Sequence, residues 1–176
     1  METQTASVKK IALNYGLILA LSIIVLSVIV YALGMSVEQP WWQSALSFIF
    51  TAAIIWMGLK AFKIANEGFL SLGEALKVGL AISLIAGIIG SIFTYLFITV
   101  IEPEYVQMVL QKTQENMVQQ NPNMTQEQID MGMGITEKMM GPWIMVAMGI
   151  IASLFFGFII SLIEGLILKN NRPELQ

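Results

Sequence analysis

Residues 142–169 read PWIMVAMGIIASLFFGFIISLIEGLILK. The stretch opens on Pro142-Trp143 and holds one ionisable side chain, Glu164, before Lys169 closes it. Crossing about 30 Å of hydrocarbon takes about 20 helical residues, so this run predicts a membrane-spanning helix over residues 143–168. Within it Gly149, Ser153, Gly157, Ser161 and Gly165 recur every fourth residue. On a helix that spacing stacks small side chains along one slowly drifting stripe. Such a stripe lets a second backbone come close, which is how helices associate in lipid.

Working backwards, a matching stripe lies in residues 77–101, where Gly79, Ser83, Gly87 and Ser91 share the spacing. Ser71 followed three residues later by Glu74 has capping-box spacing, so this third helix is expected to begin near Leu72 and to enter the membrane after Lys77. Glu102-Pro103-Glu104 ends it. Sequential spans usually neighbour each other, so the two stripes are expected to form one intramolecular seam; the alternative is a groove for a partner's helix.

Residues 102–141, between the seam helices, are the one sizeable polar segment. Tyr105, Val106, Val109, Leu110, Met117 and Val118 recur at rough helical spacing, Asn121-Pro122-Asn123 breaks the pattern, and Thr125 with Gln128 offers a second capping box. An amphipathic helical hairpin is predicted. Its methionines (108, 117, 124, 131, 133, 139 and 140) make an adaptable apolar surface, either closing the hairpin on itself or meeting a partner.

Towards the N-terminus, two further spans are expected over residues 11–33 and 41–62, after a polar lead of residues 1–8. Pro40-Trp41-Trp42 suits a helix start at headgroup level. The apolar run after Lys9-Lys10 is too long for a signal h-region and lacks a small-x-small site, so it reads as a retained anchor. The whole is one membrane domain over residues 1–176, an all-α bundle of four transmembrane helices with the hairpin between spans three and four. Lys9, Lys10, Lys60, Lys63, Lys77, Lys169 and Arg172 fall on one side, and Lys112 and Lys138 on the other. By the positive-inside rule both termini are expected to be cytoplasmic and the hairpin extracytoplasmic.

Only 12% of residues are charged, about half the share of a soluble domain. The chain has no Cys and no His. That removes thiol nucleophiles, the commonest metal ligands and the commonest general base, so no catalytic residue, cofactor or metal site is expected. No basic stripe suggests nucleic acid, and no mid-depth Gly/Pro break suggests a transporter's substrate site. Asn14, Ser22, Ser27, Ser47, Thr51 and Thr94 are scattered polar positions, expected to bond their own backbones or neighbouring helices rather than to line a pore.

Residues 9–17, Trp56 to Lys63, and NEGFLSLGEALKVGL at residues 66–80, followed by Ile101-Glu102-Pro103, together resemble the DUF4199 family of small membrane proteins, found mainly in Bacteroidetes. The resemblance covers nearly the whole chain. It implies the inner membrane of a Gram-negative bacterium and a periplasmic hairpin. It supplies no catalytic residue, and beyond that suggests only an accessory role beside a glycosyltransferase that acts on a lipid carrier.

Glu164 and Lys77 should lie at the same level of the membrane, and a contact between them would fix spans three and four together. The expected function is therefore a non-enzymatic scaffold or accessory subunit of a membrane complex. Its partners would be membrane lipids and another membrane protein, or a second copy of itself. A small oligomeric transporter or channel is the alternative.

Overall fold

A computed structural model describes residues 7–172. Part of the polar lead, residues 1–6, lies outside them. Six α-helices follow in order: α1 (Val8–Ala32), α2 (Trp41–Ala65), α3 (Leu72–Leu96), α4 (Tyr105–Gln120), α5 (Gln126–Met139) and α6 (Pro142–Leu168). Four of them, α1, α2, α3 and α6, are long and apolar enough to cross a membrane, as the sequence predicts. α1 starts at Val8, where the Ser7 hydroxyl caps it by accepting from the Lys10 amide, and α2 runs on to Ala65.

The two predicted capping boxes both form. The Ser71 hydroxyl accepts from the Glu74 amide while Glu74 Oε2 accepts from the Ser71 amide at 2.8 Å. Thr125 and Gln128 do the same at the start of α5. Each box satisfies two donors that a helix start otherwise leaves free. The other end of α3 has a feature that the sequence does not announce. It passes into a π-helical turn, Phe97–Ile101, in which the Glu102 amide donates to the Phe97 carbonyl at 2.8 Å.

α1 and α3 run one way, α2 and α6 the other. One end of the bundle, the termini end, gathers the start of α1, the α2–α3 turn and the end of α6. The opposite end carries the α4–α5 hairpin. α3 is the central helix, packed along α6 on one side and α1 on the other, with α2 completing the bundle. The core is built on α3: Val78 and Ile82 are fully buried with Ile55 and Leu59 of α2 and Leu19 of α1. Two glycines let the outer helices reach it. A Cβ on Gly16 of α1 would sit 2.8 Å from Ile85 Cβ, and one on Gly58 of α2 would overlap Ile82 Cδ1.

Burial is uneven along the bundle. The first buried residue of α2 is Ile54, and that of α6 is Gly157. At 1.5 Å per residue both lie about 20 Å in from the hairpin end. Over the termini half all four helices contribute to the buried core; over the hairpin half neither α2 nor α6 has a buried residue.

Candidate functional site

The α3–α6 seam has a simple antiparallel register. Each step of four residues up α3 is a step of four down α6, and at each level glycine on one helix meets a small side chain on the other. A Cβ on Gly79 would overlap Ser161, and one on Gly157 would overlap Ser83. A Cβ on Gly87 would lie 2.9 Å from Ser153 Cβ, one on Gly149 3.0 Å from Ser91 Oγ, and one on Gly165 2.7 Å from Ala75 Cβ. Real Cβ atoms do not approach that closely, so the glycines set the helix separation. Two hydroxyls bind across the seam: Ser153 Oγ donates to the Ser83 carbonyl at 2.7 Å and Ser91 Oγ to the Val146 carbonyl at 3.1 Å. Ser161 turns back to the Phe158 carbonyl of its own helix at 3.2 Å. The Ser83 hydroxyl is fully buried without a partner.

Lys77 and Glu164 are not brought together. Among the described residues the ion pair is Arg172–Glu67, at 3.3 Å. Lys77 is exposed. It precedes Gly79 by two residues, about 200° around the helix, so it faces away from α6 even though its level is right. Glu164 does face inward. Its side chain is buried, and its Oε2 has no hydrogen-bond partner. The basic group that reaches this end of α6 is Lys63 of α2, whose Nζ donates to the Leu168 carbonyl at 2.9 Å. There it satisfies a free carbonyl at the negative end of the helix dipole.

The termini end is closed by a tie that no sequence signal announced. Leu70 and Asn170 exchange backbone hydrogen bonds, each at 2.8 Å, and Asn170 Nδ2 donates to the Gly68 carbonyl at 3.0 Å. Arg172 lies over the Phe69 ring.

The hairpin half holds a cavity of about 690 Å³ between α1, α2, α3 and α6. Its size is that of small-molecule sites, about 300–1,000 Å³. Ser44, Ser47 and Thr51 of α2, Ser27 of α1 and Thr94 of α3 line it, together with the seam hydroxyls Ser91 and Ser153. Four of the scattered polar positions expected to bond their own backbones or neighbouring helices rather than line a pore, Ser27, Ser47, Thr51 and Thr94, thus line this cavity. The expectation holds for Ser22, bonded to the Ile18 carbonyl, and half holds for Thr51, whose hydroxyl bonds the Ser47 carbonyl while it lines the cavity. One signal was legible: Ser44, Ser47 and Thr51 fall at i, i+3 and i+7, one face of a helix.

The floor is apolar, with Leu19, Ala20, Ala86 and Ile160. The rim is tied by polar contacts between the α1–α2 turn and the start of α4: Ser36 Oγ donates to Glu102 Oε2, and Gln39 Nε2 to Tyr105 Oη, both at 3.2 Å. Phe97, in the π turn, meets Tyr31 and Tyr105 edge to face and so anchors the rim. π turns often sit at functional sites because they re-aim a helix face. No group of His, Cys, Asp or Glu among the described residues is placed to hold a metal ion.

Together these features define a multi-pass α-helical membrane protein, knitted at one end and opened at the other into a largely apolar cleft with hydroxyls on its wall. The chain belongs to the DUF4199 family, a protein family of unknown function, whose model matches residues 14–170. No curated protein and no solved structure matches it.

Proposed function

We propose that this chain is a non-enzymatic integral membrane protein, a scaffold or accessory subunit of a membrane complex, that meets another membrane protein through its α4–α5 hairpin. In this reading it lies in a bacterial inner membrane with both termini in the cytoplasm, and the hairpin outside follows from the seven-to-two split of basic residues.

The hairpin carries the proposal. Its inner face is satisfied: Ile129 is buried, and Met117 reaches so close to Gly132 that an added Cβ would sit 2.7 Å from it. Its outer face is not. Met131, Ile135 and Met139, one turn apart along α5, are 66%, 57% and 54% exposed. A row of flexible thioethers flanking an isoleucine suits an adaptable contact. A photo-crosslinker placed at Met131 or Met139 should trap one stoichiometric protein partner in native membranes, and Ile135→Glu should abolish it. Crosslinks to lipid alone would refute the docking role.

The cleft favours a second reading, transport by a small oligomer. Saturable solute flux in liposomes containing the purified protein would move the assignment there.

A further inference from the structure

We infer that the cleft in the hairpin half of the bundle is a binding site for an uncharged membrane amphiphile, one with a hydrogen-bonding carbonyl or hydroxyl head and an alkyl or prenyl tail.

The charge of the ligand follows from the wall. Among the described residues no Asp, Glu, Lys or Arg lines the cleft. A charged head entering it would lose its hydration without gaining a counter-charge, a cost of several kcal/mol per ion. A neutral polar head meets the opposite situation. Ser27, Gln43, Ser47 and Thr94 line the cleft and make no side-chain hydrogen bond among the described residues. Their donors and acceptors come from three helices and are free for a ligand.

The tail follows from where the cleft opens. Phe48 of α2 and Phe156 of α6 both line the cleft and are both about half exposed, on the two helices that bury no residue over this half. In a membrane that side faces lipid, so a ligand can enter laterally and leave its apolar part between the two rings. At Gly90 of α3, on the cleft wall, an added Cβ meets nothing within 4 Å. Gly79 and Gly87 of the same helix each face a serine at contact distance, and Gly73, also open, lies in its first turn at the opposite end from the cleft. Gly90 leaves room that no part of the described chain uses.

The test uses the full chain, purified in detergent, stripped of copurifying lipid and titrated by native mass spectrometry. Three probes are compared: dioleoylglycerol, a prenylated benzoquinone, and dioleoylphosphatidylglycerol. The first two share the neutral head and distinguish a glycerolipid from a quinone source. The third carries the same tails as the first on an anionic head. One neutral probe should bind once per chain, about a hundredfold or more tighter than the anionic lipid, the ratio that several kcal/mol of uncompensated charge sets. Gly90→Leu, which fills the cleft, should weaken it about tenfold without lowering the unfolding temperature. Thr94→Val, which keeps shape and removes a hydroxyl, should weaken it less. Equal binding of the anionic lipid, no binding of either neutral probe, or unchanged binding in both variants would overturn the assignment.

Discussion

A Cβ built on Gly157 would overlap the Ser83 hydroxyl, so α3 and α6 approach there as closely as a serine and a bare backbone allow. Because the pair sits at mid-seam, with the same glycine-against-small arrangement above and below it, helix separation is fixed by side-chain volume at each level. In lipid, where no hydrophobic drive favours one helix pair over another, van der Waals fit and interhelical hydrogen bonds carry the association.

Enlarging one side of that pair should therefore be costly, and exchanging its two sides should not. Gly157→Ser alone forces two hydroxymethyl groups into one space and should destabilise the protein by about 1–3 kcal/mol, the usual range for overpacking. Combined with Ser83→Gly, most of that loss should return. The double-mutant cycle, read by unfolding in detergent, isolates the pairwise part. Additive losses would show that the two residues do not oppose each other.

Gly90 is the internal control on the same helix. Nothing lies within 4 Å of a Cβ placed there, and alanine is favoured over glycine inside a helix by about 1 kcal/mol. Gly90→Ala should leave stability unchanged or raise it, while Gly79→Ala lowers it. Equal losses at both sites would mean that glycine acts through helix flexibility and not through close approach.

The seam was legible in the sequence because two period-four stripes on neighbouring antiparallel helices admit few registers. The capping boxes were legible because Ser71 with Glu74, and Thr125 with Gln128, bond locally. Lys77 and Glu164 show where such reading stops. Span length fixes the level of a residue in the membrane, but contact also needs the right face, and two residues separate Lys77 from the seam face at Gly79. The cleft lies further out of reach. It lies where α2 and α6 bury no residue, and that depends on which helices become neighbours. Its one trace in the sequence is the i, i+3, i+7 spacing of Ser44, Ser47 and Thr51.

Glu164 should prove dispensable for stability, and Lys77 with it. A buried carboxyl with an oxygen lacking any partner carries an unsatisfied desolvation cost of about 1–3 kcal/mol, so replacing it by a group of similar size should be neutral or stabilising. Glu164→Gln and Glu164→Leu should unfold at or above the wild-type temperature, and Lys77→Gln should not change it. Lys63→Met, by contrast, removes the donor to the Leu168 carbonyl and should cost about 1.5–3 kcal/mol, the range for a hydrogen bond to a charged group. Faster amide exchange in the last turn of α6 would locate the loss. A drop in stability with Glu164→Gln matched by one with Lys77→Gln would revive a pairing that the structure does not show.

The proposed orientation can be read directly, because the chain has no cysteine of its own. Single cysteines introduced at exposed Gln119, in the hairpin, and at exposed Lys10, at the start of α1, become unique labels. A membrane-impermeant maleimide should label Gln119→Cys in cells with a permeabilised outer envelope and reach Lys10→Cys only after lysis. The basic residues argue for this result: placing the seven of the termini end outside would oppose the retention of Lys and Arg in cytoplasmic loops. The reverse pattern would put Met131 and Met139 in the cytoplasm and turn the search for a hairpin partner to that side. Labelling of both sites in intact cells would mean that the chain inserts in two orientations.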